Sequence, residues 1–326
     1  GCIMPPKSTI TVGPLKSSEM DEADRVFRTA FSTFLGLPNP ADFMAGRDLI
    51  ASRAKGRHVK ALAARDDGRL IGSNLATRWG SFGFFGPLTV LPEYWERGVA
   101  KLLLSSTVKI FDGWGLKHTG LFTFAQSAKH ICLYQKFGYW PMYLTAIMEY
   151  KPGEKAVGQP ALLSALSRDK REEAIHACSK LTSSIQKGLD LSDEIRAMMK
   201  QQGGEVVLIH GKKFGGNKRG NALDGFAICM HGAGSEGGAS TCYVKFGAAR
   251  GGDGAAERFD RLLEACEGFA AARRVRLEAG VNLARDDAYR RMRSRGYRTL
   301  VQGVALQRPH LPGFNRSDAY VIDDWR

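Results

Sequence analysis

The sequence predicts an α/β protein of the α+β type, made of two tandem domains in which a mixed, mostly antiparallel sheet is flanked by helices. Segments in which apolar residues alternate, as in strands, are interleaved with segments in which they recur every three or four positions, as in helices. The same order of segments restarts after residues 151–160, which have the Pro and Gly content of a linker. These observations indicate two copies of one folding unit.

The spacing of glycines supports the repeat and sets the predicted domain boundaries. Gly98 and Gly254 each precede a helix-like segment and lie 156 residues apart, and a later Gly-Tyr pair recurs at a spacing of 158 residues. We therefore predict an N-terminal domain at residues 1–152 and a C-terminal domain at residues 153–326.

Each element of the first copy follows from a local pattern. Ser18 before an acidic start indicates a helix N-terminus, and the turn at 66–68 between two alternating runs indicates a hairpin. The predicted elements are, in order, a strand at 9–15, helices at 19–34 and 39–55, a hairpin at 58–77, a strand ending at Val90, a helix from about Gly98, a strand at 118–125, a helix at 129–137 and a closing strand at 141–150.

The second copy repeats this order with longer, glycine-rich connections. Its predicted elements are a strand at 161–167, helices at 169–181 and 191–201, strands at 206–210, 226–231 and 241–247, a helix around 259–269, a strand at 275–281, a helix at 286–294 and a strand at 298–306. The glycine-rich segments 212–220 and 232–238 are expected to be long flexible hairpin loops.

Composition restricts the class of protein. The chain has 326 residues and a net charge of +14, with 18 basic and 12 acidic residues up to Tyr150 and 29 and 21 after it. Charge spread in this way favours anionic partners without choosing among them. No apolar run is long enough for a membrane span, and the first residues lack the apolar core of a secretory signal. Six scattered cysteines without a C-x-x-C pair predict no disulfide scaffold, no metal site and a reducing, cytoplasmic location.

The segment GPLTVLPEYWERGVAK at 86–101 is the strongest chemical signal. It is typical of a buried strand, a tight turn and a helix start with small residues, where a bulky anion can approach unpaired amides. It resembles the acetyl-CoA pyrophosphate loop of the GNAT superfamily of N-acetyltransferases, whose pattern is Q/R-x-x-G-x-G/A. Gly98 and Ala100 fit this pattern, whereas Trp95 stands where Gln or Arg is usual.

A second motif, QSAKHICLYQKFGY at 126–139, follows at the expected distance. It is similar to the GNAT helix pattern N-x-x-A-x-x-L-Y-x-K-x-G-F/Y. The matching positions are Leu133, Tyr134, Lys136, Gly138 and Tyr139, while Ser127 replaces Asn and His130 replaces Ala. The two motifs and the order of elements around them identify residues 9–150 as GNAT-like, and the second half resembles the family in topology alone.

The resemblance implies that acetyl-CoA lies between splayed strands ending at Val90 and Ala125. A strand amide near Val90 would polarise the thioester carbonyl, and Tyr134 would donate a proton to the departing CoA thiolate as the catalytic acid. The residues implied to bind the cofactor are Leu88, Thr89, Val90, Arg97, Gly98, Val99, Ala100, Lys101, Ser127 and Tyr134.

The base and the acceptor are less well specified by the sequence. Glu93, Glu96 and His130 are candidates for deprotonating an amine, but each also has an ordinary structural explanation as a solvated or packed side chain. Aromatic residues in the regions that border the acceptor in this family are expected to be mostly core, with one or two lining an acceptor pocket: Phe31, Phe34, Phe43, Trp79, Phe82, Phe84 and Phe85.

The second copy is expected to lack the chemistry. In the alignment Asp253 replaces Arg97 and Glu257 replaces Lys101, so anions would face a pyrophosphate, and Met292 takes the place of Tyr134. A degenerate copy of this kind would pack on the first, complete its acceptor cleft or form a homodimer surface.

The predicted function is therefore that of an N-acetyltransferase, which moves an acetyl group directly from acetyl-CoA to a primary amine without a covalent enzyme intermediate. One alternative is a non-catalytic acetyl-CoA-binding regulatory protein, favoured by Trp95 and Ser127. Another is a nucleic-acid binder, suggested by the net charge of +14 and by the basic residues at 212–219 and 290–295, although no nucleic-acid fold surrounds them. The segment 232–237 fits G-x-G-x-x-G but leads into a strand, which favours a hairpin over a dinucleotide site.

Overall fold

The computed structural model describes residues 9–153, 159–211 and 222–326. The first half contains β1 (Ile10–Pro14), α1 (Met20–Leu35), α2 (Ile50–Ala54), β2 (Val59–Asp66), β3 (Arg69–Trp79), β4 (Phe82–Phe85), β5 (Thr89–Val90), α3 (Val99–Gly113), β6 (His118–Phe124), α4 (Ala128–Lys136) and β7 (Trp140–Tyr150). The fold is the predicted α+β arrangement of a largely antiparallel sheet flanked by helices.

The second half repeats the pattern. It contains β8 (Ala161–Leu162), α5 (Arg168–Ile185), α6 (Ser192–Gln201), β9 (Gly204–His210), β10 (Leu223–Gly232), β11 (Gly238–Ala249), α7 (Ala255–Ala272), β12 (Arg276–Asn282), α8 (Asp286–Ser294), β13 (Arg298–Arg308) and β14 (Val321–Ile322). None of the helices in the described ranges has the length and hydrophobicity needed to cross a bilayer.

Two predicted elements are shorter than expected. The helix predicted at 39–55 is reduced to the five residues of α2, because Met44 and Gly46 have positive φ angles of 51° and 73°, which a right-handed helix does not accept. The strand predicted at 161–167 is the two-residue β8 followed by a single 3₁₀ turn at Leu163–Ala165.

The two halves exchange their last strands. In the described residues fourteen strands form one sheet with the main order β1-β2-β3-β4-β6-β13-β7-β12-β11-β10-β9-β8. β13 pairs antiparallel with β6 of the first half, β7 pairs antiparallel with β12 of the second, and β7 and β13 pair with each other at the centre. The boundary at residues 152–153 therefore stays a prediction about chain order, since the sheet runs through both halves.

An apolar core joins the two halves beneath this sheet. The Trp79 ring lies 5.5 Å from Phe246, and the Phe82 ring lies 5.1 Å from Trp325, measured between ring centroids. Both pairs combine one residue from each half, and all four side chains are buried. Phe84 packs in the same core and Phe85 is buried in a neighbouring one, as expected for most of the aromatics near the acceptor region.

A buried cluster of charges also joins the halves, and we call its five residues the charge cluster: Arg53, His58, Glu194, Glu236 and Lys245. The Lys245 ammonium lies 2.5 Å from Glu236 and 3.1 Å from Glu194, Arg53 pairs with Glu236, and His58 lies 3.2 Å from Glu194. Burial raises the pKa of both carboxyl groups, but the neighbouring cations outweigh it and hold each pKa below its ordinary value. Both glutamates are therefore ionised.

The glycine-rich segment 232–238 is the predicted hairpin connection, but it is short and partly buried rather than long. Residues 235–238 are buried in a tight turn between β10 and β11. The turn is tied to the first half, because the Asp48 amide donates to the Ser235 carbonyl at 2.9 Å and Arg47 Nε donates to the Glu236 carbonyl at 2.6 Å. The other glycine-rich segment, 212–220, lies outside the described residues.

Removing one carboxylate of the charge cluster should destabilise the protein. Glu236→Gln leaves the Arg53 guanidinium, which is buried, without its carboxylate partner. We expect a loss of about 3–5 kcal/mol in the free energy of unfolding, measured by urea denaturation. The matched control is Glu172→Gln, which breaks the exposed pair with Arg196 and should cost at most about 1 kcal/mol. Equal losses in the two variants would contradict a structural role for the cluster.

Candidate active site

Two strands of the first half diverge and open a cleft. β4 pairs in parallel with β6, but only until Phe85 meets Leu121. Gly86 then turns the chain with a φ of 140°, and β5 pairs with β3 instead, at Gly72 and Val90. We call the gap between β5 and the end of β6 the first cleft. Within the described residues no strand pairs into it.

The start of α3 borders the first cleft and is open. Gly98 precedes α3 with a left-handed backbone (φ 79°, ψ 7°), and no side chain caps the helix. A Cβ at Gly98 would meet nothing within 4 Å. The first amides of a helix have no partner within the helix, so those at Val99, Ala100 and Lys101 can bind an anion. Arg97 is exposed beside them, with its guanidinium 4.6 Å from the centre of the Tyr94 ring.

Trp95, which departs from the family pattern, contacts the cleft strand directly. Its indole Nε1 donates to the Val90 carbonyl at 2.8 Å, while 41% of the residue stays exposed. This hydrogen bond uses a backbone acceptor in the segment implied to bind the cofactor. Leu88 is half-buried, and Thr89 is buried with its hydroxyl 2.9 Å from that of Ser73.

Tyr134 and Ser127 lie on the other side of the cleft. Tyr134, on α4, is 6% exposed, and its ring meets Phe85 edge-on at 5.8 Å. Burial raises the pKa of Tyr134 well above its ordinary value, against a smaller opposing effect of Thr123, so the phenol keeps its proton. Ser127 precedes α4 and is buried, but its hydroxyl does not cap the helix.

The three candidate bases differ in their surroundings. Glu93 pairs with Arg69 and Glu96 pairs with Lys129, and both pairs are exposed. The His130 ring lies 5.7 Å from Phe34, and no described residue forms a hydrogen bond with it. Burial, and to a smaller extent the charge of Lys129, lowers the pKa of His130, which keeps the imidazole neutral at pH 7.

We call the backbone that precedes α3 at Gly98, and the equivalent backbone that precedes α7 at Gly254, a cradle. A side chain of the second half occupies the cradle at Gly254. Gly254 precedes α7 with φ 79° and ψ 8°, almost the angles of Gly98. The Arg258 guanidinium donates to the carbonyl oxygens of Arg250, Asp253 and Gly251 at 2.8, 2.9 and 2.8 Å. A Cβ at Gly254 would lie 3.0 Å from this guanidinium. The sequence alignment did not identify Arg258, because its partners are backbone atoms.

The cleft of the second half is filled as well. β11 and β12 pair in parallel over a short stretch and then separate, as β4 and β6 do. β14 occupies the gap: it pairs with Gly247 and Ala248 of β11, and the next residue, Asp323, donates its amide to the Gly280 carbonyl of β12 at 3.0 Å. Met292 is fully buried. The two clefts thus share a geometry, and the chain itself fills the second.

The arginines that suggested nucleic-acid binding are largely neutralised. On α8, Arg290 pairs with Asp286 at 2.9 Å, and Arg291 pairs with Asp260 at 2.6 Å. Arg295 pairs with Glu267 at 2.7 Å. The lysines of 212–220 lie outside the described residues. Within the described ranges, no group of histidine, cysteine and acidic side chains is arranged to hold a metal ion.

Comparison with known proteins agrees with this geometry. Residues 25–139 match the family model described as acetyltransferase (GNAT) family. No curated protein matches the sequence at a significant level.

Solved structures resemble the chain over nearly its whole length. A candidate acetyltransferase from Pyrococcus horikoshii is 14% identical with a TM-score of 0.66, and the match covers 97% of this chain and 95% of that one. A GCN5-related N-acetyltransferase from Sphaerobacter thermophilus is 14% identical, with a TM-score of 0.55 and coverages of 94% and 96%. A glucosamine N-acetyltransferase region of a fungal β-N-acetylglucosaminidase is 15% identical, with a TM-score of 0.58 and coverages of 93% and 38%. At these identities the likeness concerns the fold. The chain thus contains a GNAT acetyltransferase domain at residues 25–139 and has a GNAT-like fold along its length.

Proposed function

We propose that the protein is an N-acetyltransferase that binds acetyl-CoA in the first cleft and transfers the acetyl group directly to a primary amine. The observation that carries the proposal is the contrast between two equivalent cradles. The one at Gly98 is open and flanked by Arg97 and Lys101, whereas the one at Gly254 is closed by Arg258. A polyanionic cofactor fits the first and is excluded from the second.

The residues of the first half can be assigned to parts of the cofactor. The amides of Val99 and Ala100 at the start of α3, with the Arg97 and Lys101 side chains, would hold the pyrophosphate. The backbone of residues 88–90 and the Ser127 side chain would contact the pantetheine. Because Trp95 donates to the Val90 carbonyl, pantetheine would share that acceptor with the indole or displace it.

The reaction needs one proton removed and one supplied. The neutral amine forms a bond to the thioester carbon, the C–S bond breaks, and a strand amide near Val90 stabilises the charge that develops on the carbonyl oxygen. Tyr134, which burial keeps protonated, gives its proton to the thiolate. His130 lies one turn before Tyr134 on α4 and is neutral, so it is the candidate acceptor for the proton of the amine.

A second candidate function is a regulatory protein that binds acetyl-CoA without turnover. The hydrogen bond from Trp95 to Val90 favours it, because the indole occupies a backbone group of the cleft. The two functions differ in whether any amine is acetylated.

Replacing Tyr134 tests the enzyme directly. We expect Tyr134→Phe to lower kcat by about tenfold to a hundredfold, since a thiolate leaves moderately well without a proton, and to leave the dissociation constant of acetyl-CoA within a factor of about two. The assay is release of free CoA in the presence of an amine panel, with calorimetry for binding. Unchanged kcat would exclude Tyr134 as the acid, and an absence of turnover in the parent protein would favour the regulatory protein.

The stoichiometry of binding tests the two cradles. We expect calorimetric titration with acetyl-CoA to give one site per chain, and Gly98→Asp to abolish it by placing an anion at the start of α3. Gly254→Asp is the matched control, because its backbone angles are nearly the same and it carries the same left-handed strain. This control should leave binding intact. Two sites per chain, or loss of binding in Gly254→Asp alone, would contradict the assignment to the first half.

A further inference from the structure

Five phenylalanine rings beside the first cleft form a continuous surface, which we call the phenylalanine wall: Phe31, Phe34, Phe43, Phe122 and Phe124. Phe31 stacks on Phe43 with 5.3 Å between ring centroids, and Phe34 stacks on Phe124 at 5.6 Å. Phe124 also lies 6.2 Å from Phe31 and 6.2 Å from Phe122, so Phe124 joins the two stacks.

The wall residues are more exposed than most other phenylalanines in the described part of the chain. Each of its five residues is half-buried, and among the remaining described phenylalanines only Phe137 shares that state. The others are buried: Phe27, Phe82, Phe84, Phe85, Phe111, Phe226, Phe246, Phe259, Phe269 and Phe314. Apolar surface left in water costs about 25 cal/mol per Å² relative to burial, so a cluster of such rings marks a surface that a ligand can cover.

The wall adjoins the transfer site and uses both halves of the chain. Phe124 ends β6, which forms one side of the first cleft, and Phe34 contacts His130 on α4, one turn before Tyr134. The second half supplies Gly303 of β13, where a Cβ would come within 2.3 Å of the Phe122 ring. Gly303 therefore allows the ring to lie against the exchanged strand. Val301 on the same strand is also exposed.

The Arg28 guanidinium next to the wall is already paired. Arg28 of α1 donates to the carbonyl oxygens of Phe43, Met44 and Arg47 and pairs with Asp24 at 2.8 Å. His130, at the edge of the wall, is neutral at pH 7. The wall therefore offers aromatic rings, and the exposed carboxylate of Asp42 next to Phe43 forms no ion pair with a described residue. This arrangement suits an apolar body that carries one amine better than an acidic, sugar or polycationic one.

We propose that the phenylalanine wall binds the acceptor, and that the acceptor is a primary amine carried on an aromatic or bulky apolar body. This proposal rests on the proposed acetyl transfer and specifies its substrate class. It also gives the second half a role in the site, because the exchanged strand β13 forms part of the surface beneath the wall.

Matched amines test the proposal on the whole chain. We expect kcat/KM for 2-phenylethylamine to exceed that for ethanolamine by about thirtyfold, the effect of burying one aromatic ring. Glucosamine and spermidine should be as poor as ethanolamine. Calorimetric titration of 2-phenylethylamine into the protein with CoA bound should show binding that does not depend on turnover.

Variants of the wall separate recognition from folding. Phe34→Ala should raise KM for 2-phenylethylamine about tenfold and change kcat/KM for ethanolamine by less than about twofold. Phe137→Ala is the control, since Phe137 is half-buried at the end of α4 but lies outside the wall. It should leave the ratio of the two amines unchanged, and thermal melts establish that both variants fold.

The outcomes are distinguishable. Equal kcat/KM for the four amines, or an equal loss for all of them in Phe34→Ala, would overturn the proposed acceptor class and leave acetyl transfer standing. Acetyl-CoA binding without turnover of any amine would overturn the proposed function and the acceptor class with it. Calorimetric binding of 2-phenylethylamine that Phe34→Ala weakens, together with the predicted preference among amines, supports the proposal.

Discussion

The exchange of β7 and β13 joins the two halves of the chain into one continuous sheet. Because β13 pairs with β6 and β7 pairs with β12, neither half completes its sheet alone. The shared core around Trp79 and Phe246 and the buried charge cluster lie across the same junction. Separating the two halves would expose apolar surface and leave buried charges unpaired. Both changes strongly lower the free energy of unfolding.

The two halves share one backbone arrangement at the helix start and cleft, but in the second half other residues of the chain occupy it. Gly98 and Gly254 have nearly identical angles, and parallel strands separate in front of each. In the second copy Arg258 satisfies the carbonyl oxygens of the loop, and β14 pairs in the gap between the strands. The proposed absence of cofactor binding in the second copy thus rests on this occupancy as well as on charge. The backbone arrangement that leaves the first cleft open in one half is packed against Arg258 and β14 in the other.

The second half also contributes to the candidate active site at a distance from its own cleft. Its turn at 232–238 holds Arg47 and Asp48 in the connection between α1 and α2, and Arg53 reaches from Glu236 to the Gly86 carbonyl at 3.2 Å. Gly86 is the residue at which the cleft strand turns away. The second half therefore acts on the first as a scaffold for the elements that border the cleft.

Local periodicity and short motifs were enough to predict the αβ order, the repeat, the helix start at Gly98 and the placement of Tyr134 on a helix, because each depends on residues close together in the chain. The same patterns overestimated the helix at 39–55, since the positive φ angle at Met44 carries no strong sequence signal. They could not show the strand exchange, the filling of the second cleft by Arg258 and β14, or the phenylalanine wall. These features join residues far apart in the chain, and alternating apolar patterns specify that a strand is paired without specifying which strand is its partner. The partners are fixed by packing between segments that are distant in the chain, which becomes visible in the folded protein.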